Sequence, residues 1–202
     1  MLKFLQFLIR EETEKSHVMT FMRANPPTAG HQKVVDKVTA LANKKKASHS
    51  IILSHSHDGD KNPLTPEQKL KHAQRAFPDA NVSTSSKEQP TLLHHASNLF
   101  RNGIQHLHLV AGQDRVGEFN KLLNDYNGKE GRHGHYNFKS ITVHSAGDRD
   151  PDSEGVTGIS GTKMRAAARS GDKKTFHAGA SSHMTPAHKD EMMRDIVSSS
   201  KV

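Results

Sequence analysis

The 202 residues contain no cysteine and no tryptophan, and they include only two tyrosines. The absence of cysteine excludes disulfides, thiolate catalysis and cysteine-ligated zinc, and is compatible with a reducing cytoplasm. Long apolar runs are missing as well: no segment approaches the ~20 residues of a membrane span, so no membrane association is expected. Only 33% of the residues are hydrophobic, and the core must be assembled from short runs such as Ser50 to Leu53 and Leu107 to Val110. Two nucleotide-binding patterns are also lacking. No G-x-x-x-x-G-K-[ST] occurs, and no G-x-G-x-x-G follows the first strand-like run.

What is present is positive charge. Lysine and arginine exceed aspartate and glutamate by 29 to 21, a formal +8, which favours nucleotides, phosphorylated metabolites or nucleic acid as partners. Sixteen histidines are an unusual number for a chain of this length. That length suits one α/β domain with a modest extension.

The first residues form an amphipathic pattern, with Leu2, Leu5 and Leu8 beside Phe4 and Ile9. The pattern is too short and too charged for a secretory signal. From His17 onward, strand-like runs alternate with helical ones. Expected strands are 17–23, 48–56, a short one near Val82, 104–112 and 138–146. Expected helices are 30–46, 66–77, 92–102 and 116–126, one from Ser160 to about Gly171, and a last one from Thr185-Pro186 toward Ile196. Asn127 to Asn137 is expected to be a glycine-rich surface loop. Such alternation predicts a Rossmann-like, doubly wound parallel sheet with helices on both faces. The expected organisation is a segment 1–16, a main domain 17–180 and a C-terminal helical segment 181–202.

In an open parallel sheet, ligands bind beyond the carboxyl ends of the strands, where loops enter helix N-termini. The stretch Phe21 to Val35, FMRANPPTAGHQKVV, lies there. Pro26 and Pro27 restrict the backbone, Gly30 permits close approach, and the amides of the new helix favour an anion. Arg23 and His31 add donors toward the same space. A second segment, ISGTKMR at Ile159 to Arg165, has the same logic: Ser160 is a good N-cap, Gly161 permits close approach, and Thr162, Lys163 and Arg165 supply a hydroxyl and two cations.

MRANPPTAGH resembles the first signature of the HIGH-type, cytidylyltransferase-like nucleotidylyltransferase superfamily, in which Thr/His-x-Gly-His follows the first strand. ISGTKMR is similar to its second signature, Ile-Ser-Ser-Thr-x-Ile-Arg. The resemblance spans about Val18 to Gly179 and is nearest to nicotinamide mononucleotide adenylyltransferases. It implies in-line attack of a substrate phosphate or hydroxyl on the α-phosphorus of a nucleoside triphosphate, with pyrophosphate released. Positioning and charge stabilisation suffice for such a transfer. By this resemblance Thr28 and His31 serve the α- and β-phosphates, His31 also stabilising transition-state charge. Arg23, Arg165 and Thr162 serve the β- and γ-phosphates, and Asn25, Gly30, Ser160 and Lys163 complete the nucleotide set. ATP is favoured over CTP as co-substrate, and Mg²⁺ would bridge phosphate oxygens while keeping mostly water ligands.

Val110 to Val116, VAGQDRV, looks like the Gly-x-Asp segment of these transferases and places Gly112 and Asp114 beside nucleotide or acceptor; Asp114 as a helix N-cap is an equal rival. Asp60 to Lys69 resembles the Asn-Pro-Phe-Thr segment and makes Lys61 and Asn62 acceptor-site candidates. Three positions depart from the family pattern: Met22 for Gly, Thr28 for His and Gly161 for Ser. They leave phosphopantetheine or a phosphorylated alcohol open as acceptor. A noncatalytic virion or nucleic-acid-binding protein on the same fold is the rival of another class.

Residues 1–11 are also similar to tailed-phage packaging segments processed after Leu/Ile-x-Glu, here Ile9-Arg10-Glu11; a helix packed on the domain is the plain alternative. The expected location is the cytoplasm, that of a host cell if the chain is phage-encoded, with packaging into the virion as a further expectation. Oligomeric assembly is left open. His55, His57, Asp58 and Asp60 have a spacing that could ligate a divalent metal, with substrate contacts the favoured reading. The remaining histidines read as solvated or satisfied, and a plain basic surface helix is the alternative reading for Lys163 and Arg169.

Overall fold

A computed structural model describes residues 14–147 and 159–199. The segment with Ile9-Arg10-Glu11 and most of the polar loop, 148–158, lie outside the described residues.

Five parallel strands form the sheet: β1 (Ser16–Met22), β2 (Ser48–Leu53), β3 (Val82–Thr84), β4 (His106–Ala111) and β7 (Ser140–Ser145), in the order β3-β2-β1-β4-β7. Between them run α1 (Ala29–Lys45), α2 (Pro66–Ala76), α3 (Leu92–Arg101) and α4 (Gln113–Asp125). Helices α5 (Gly161–Ser170), α6 (Lys173–Gly179) and α7 (Pro186–Ser199) follow the sheet. The strand order reverses at β1, which pairs with β2 on one side and β4 on the other. Connections leaving β1 and β4 therefore diverge to opposite faces, opening a crevice at the carboxyl edge. This is a Rossmann-like α/β fold.

The strands alternate their side chains between two cores, as the period of 2 requires. On one face Val18, Ile51, Leu53 and Val110 meet α1, α2 and α5 to α7; on the other Met19, Ile52, Leu107 and Leu109 meet α3 and α4. Local chemistry sets the helix starts. Thr65 and Gln68 form a reciprocal capping box with Pro66 at the first turn, and the Thr185 hydroxyl accepts from the His188 amide at 3.2 Å. Helix α7 docks through Met192, Met193 and Ile196, and Glu191 pairs with Lys71 and Arg75 of α2.

Three expectations change. The segment 127–137 carries a short antiparallel pair, β5 (Glu130–Gly131) and β6 (Gly134–His135), and ends in a fully buried Tyr136 whose hydroxyl donates to the Leu123 carbonyl at 2.8 Å. Its glycines allow the turn, but the tyrosine pins it to the core. Helix α4 starts at Gln113, not Val116, with Gly112 as its N-cap and no side-chain cap bond, so Asp114 does not cap it. Helix α5 ends at Gly171, in the left-handed conformation, as expected, but a further short helix follows: the Asp172 carboxylate accepts from the Thr175 amide and starts α6.

Candidate functional site

A cleft of about 1160 Å³ opens at the carboxyl edge of the sheet. Its floor is Thr20 to Asn25 at the end of β1, Ser54 and Ser56 after β2, and Ala111 and Gly112 after β4. One wall is the start of α1 with Gly30 and His31; another is the start of α5 with Ser160, Thr162 and Arg165. Lys61 and Asn62 close one end, Asp114 and Arg115 another. Residues that are remote in sequence thus share one space.

The start of α1 has a definite chemistry. The His31 ring sits at the third helical position, and its Nδ1 accepts from the Thr28 backbone amide at 3.1 Å. The Thr28 hydroxyl lies 2.9 Å from the same nitrogen and accepts from the His31 amide at 3.3 Å. Accepting at Nδ1 leaves the neutral ring its proton on Nε2, so the imidazole is a fixed-orientation donor. The histidine therefore plays the part that glutamate or glutamine takes in an ordinary capping box.

The start of α5 is joined to that segment directly. Arg165 Nη1 donates to the Asn25 carbonyl at 2.9 Å, and Nη2 donates to the Thr162 hydroxyl at 3.1 Å. A Cβ at position 161 would lie 3.3 Å from Arg165 Nη1 and 3.8 Å from the Asn25 carbonyl, so a glycine there leaves room for the bond. Burial, then the nearby charges of Arg169 and Arg23, lower the pKa of Arg165, with Asp60 and Asp58 opposing. Arg165 is close enough to Arg23 and Arg169 to be repelled by both, and an anion beside it would relieve that repulsion.

Not every expected residue faces the cleft. Thr28 is buried and its hydroxyl is spent on His31. Asn25 lines the cleft, but its side chain is turned into the protein: its amide donates to the Leu64 carbonyl and accepts from the Leu64 amide, both at 3.1 Å, tying the β1–α1 loop to the β2–α2 loop. Lys163 is exposed and does not line the cleft, although its amide donates to the Ser160 hydroxyl at 3.2 Å. A Cβ at Gly112 would come within 2.7 Å of the Asp114 carboxylate, the end of an exposed side chain that can turn away; at Gly30 the nearest atom would be the Thr28 hydroxyl at 3.5 Å.

The loop from Ser54 to Asn62 carries the acceptor candidates and is tightly organised. Strand β2 ends at Leu53, so His55 and His57 do not share a strand face; their rings approach the carbonyls of Ser85 and Asn62 instead. One Asp58 carboxylate oxygen accepts from the amides of Asp60, Lys61 and Asn62, and the other from the Asn62 side chain. These bonds, that from the Asn62 side chain foremost, lower the Asp58 pKa to about 2. Among the described residues no group of three or more histidine, aspartate or glutamate side chains is placed to hold a metal ion.

Two cations that sequence reading passed over belong here. Lys69 is completely buried, and its ammonium donates to the carbonyls of Ser54 at 2.6 Å and Ser56 at 3.1 Å. Burial, with a smaller contribution from Arg23, lowers its pKa to about 8. Its signal in the sequence was a lysine on the face that α2 buries with Ala73 and Ala76, four and seven residues on. Arg169, one turn beyond Arg165, lines the cleft and bonds to the backbone of Gly59 and Asp60. No sequence signal distinguishes it from other surface arginines.

No family model and no curated protein sequence matches the chain. Among solved structures, the crystal structure of Thermotoga maritima TmcAL bound with alpha-thio ATP is similar, with a TM-score of 0.51 at 10% sequence identity. The match covers 90% of this chain and 56% of that one, so the chain spans little more than half the length of that protein. At this identity the likeness is one of fold, and it places the chain among Rossmann-like α/β proteins. Among the described residues no helix is long and apolar enough to cross a membrane.

Proposed function

We propose that the chain is a nucleotidylyltransferase, transferring AMP from ATP to a phosphorylated acceptor such as nicotinamide mononucleotide and releasing pyrophosphate. The observation that carries this reading is the bond from Arg165 to the Asn25 carbonyl, which draws the two signature segments to one cleft. The ligand of the structural neighbour, an ATP analogue, supports a nucleotide there.

In the reaction an acceptor phosphate oxygen attacks the α-phosphorus, and the bond from that phosphorus to the bridging oxygen of the β-phosphate breaks as pyrophosphate leaves. The chain's work is positioning and charge. His31, held by Thr28, presents its Nε2 proton to oxygens whose charge grows in the transition state. The N-termini of α1 and α5 add backbone amides, and Arg23 and Arg165 add full positive charges for the departing pyrophosphate. Thr28 and Asn25 act through their neighbours: one fixes the imidazole, the other offers its carbonyl to Arg165. Lys61 and Asn62 hold the acceptor's own phosphate end.

Mg²⁺ fits this site as a companion of the triphosphate. The cleft offers three carboxylates, Asp60, Asp114 and Glu118, that do not converge as a dedicated cage would need, and an ion chelated by phosphate oxygens needs few protein ligands. When bound it supplies neutralisation of phosphate charge.

The test is mass-spectrometric detection of dinucleotide product and pyrophosphate. Purified protein with Mg²⁺ and ATP or CTP is offered nicotinamide mononucleotide, nicotinate mononucleotide, phosphopantetheine and glycerol 3-phosphate separately. A product that disappears in His31→Ala identifies the acceptor. No product in any combination, with ATP failing to raise the melting temperature, refutes the reading.

A further inference from the structure

Arg169 lies one helical turn beyond Arg165, so both side chains leave the same side of α5. They reach different loops. Arg165 holds the β1–α1 loop at Asn25, whereas Arg169 Nη2 donates to the Asp60 carbonyl at 2.7 Å and the Gly59 carbonyl at 3.3 Å, with Nη1 3.3 Å from the Asp60 carboxylate. The loop that Arg169 grips is the one bearing Lys61 and Asn62. From below, the same loop rests on the buried Lys69 ammonium through the carbonyls of Ser54 and Ser56. Inside it, Asp58 collects the amides of residues 60 to 62.

We infer that Arg169 is the positioning residue of the acceptor side: it ties the Gly59–Asp60 backbone to α5 and so holds in place the loop that receives the acceptor. The inference rests on the nucleotidylyltransferase reading. Three features carry it. The contact is mainly to backbone carbonyls, so it sets the position of the main chain and not merely of one side chain. The loop has no regular secondary structure beyond an isolated bridge between Asp58 and Asn62, so its shape depends on such ties. Finally, Arg165 of the same helix holds the β1–α1 loop, so one helix sets the two loops against each other.

Arg169 makes its bonds as a fork, which a lysine reproduces only in part. The predicted kinetic signature of Arg169→Ala is an acceptor KM raised about tenfold, the equivalent of roughly 1.4 kcal/mol, with the KM for ATP within about twofold of wild type. Arg169→Lys lies between the two.

The deciding experiment does not depend on knowing the acceptor. Hydrogen–deuterium exchange of the peptide covering residues 54 to 62 is followed in wild type, Arg169→Ala and Arg169→Lys, without and with ATP, while calorimetry measures ATP affinity on the same samples. Expected are loop exchange about tenfold faster in Arg169→Ala than in wild type, whether or not ATP is present, and ATP affinity within about twofold across the three. Equal loop exchange in free wild type and Arg169→Ala overturns the tie. Loss of ATP affinity in step with loop protection overturns it as well, because Arg169 is then a phosphate ligand. If wild type binds no ATP, the nucleotidylyltransferase reading falls, and the comparison of the free proteins still decides whether Arg169 holds the loop.

Discussion

Replacing Lys69 by methionine makes a quantitative test of the cleft's foundation. The ammonium is completely buried against the Ser54 and Ser56 carbonyls, and its nearest charged influence is another cation, Arg23. Burial lowers its pKa from 10.5 to about 8. The unfolded chain therefore binds more protons than the folded one between about pH 8 and 10.5, and stability rises with pH across that window. Below pH 8 the folded protein carries the whole cost of a buried charge, about 3 kcal/mol at 1.36 kcal/mol per pKa unit. The neutral amine still donates to the carbonyls, so the gain above pH 8 comes without losing the bonds. Methionine has similar length and no charge, so Lys69→Met lacks this dependence. Urea denaturation of both proteins from pH 7 to 10 should show wild type gaining on the variant by about 3 kcal/mol, or roughly 6 to 10 °C in thermal midpoint. Other lysines and tyrosines cancel in the difference. A stability difference that stays flat with pH would refute the reasoning, and would mean that water or an anion reaches Lys69.

At acid pH the histidines dominate. His17, buried on β1 with its ring between the Ser48 and Ser50 hydroxyls, has its pKa lowered to about 4 by burial first and His49 second. The unfolded chain takes up the proton near 6.5, so stability present above that pH is lost as pH falls toward 4; His17→Asn should flatten the wild-type slope of unfolding free energy there by about 3 kcal/mol in all. Gly161→Ala should leave stability unchanged or raise it by up to about 1 kcal/mol through helix propensity. The same change crowds Arg165 at 3.3 Å and should weaken ATP affinity several-fold by calorimetry; unchanged affinity would show that the Arg165 to Asn25 bond is irrelevant to the nucleotide. Tyr136→Phe removes a hydroxyl bonded to the Leu123 carbonyl and should lower stability by about 1 kcal/mol while sparing the cleft, as denaturant unfolding and ATP calorimetry would record together.

The histidine content acquires a physical sense from these environments. His106 approaches both Ser140 and Glu14, and His108 and His144 face each other on adjacent strands with Nδ1 and Nε2 3.2 Å apart. Burial lowers the pKa of His108 to about 4. On the sheet His108 and His144, both with lowered pKa values, serve as polar spacers between neighbouring strands, at the expense of stability in acid.

The sequence by itself determined the order and type of nearly all the elements, because apolar period, proline and capping residues are local signals: Thr65-Pro66 and Ser160 start the helices that they announced. It also determined that two anion-favouring helix starts exist, since each is written within a few consecutive residues. Tertiary structure alone decided that these two starts face one cleft, because the order β3-β2-β1-β4-β7 and the bond from Arg165 to Asn25 join residues far apart in the chain. It alone turned the Thr28 hydroxyl and the Asn25 amide inward, buried Tyr136 beneath a glycine-rich segment, and closed Lys69 and Arg169 on the loop from Ser54 to Asn62. Local patterns record what a residue does to its own backbone. Burial, pairing and the pKa values that follow depend on which strands lie side by side, and those partners meet only when the sheet is assembled.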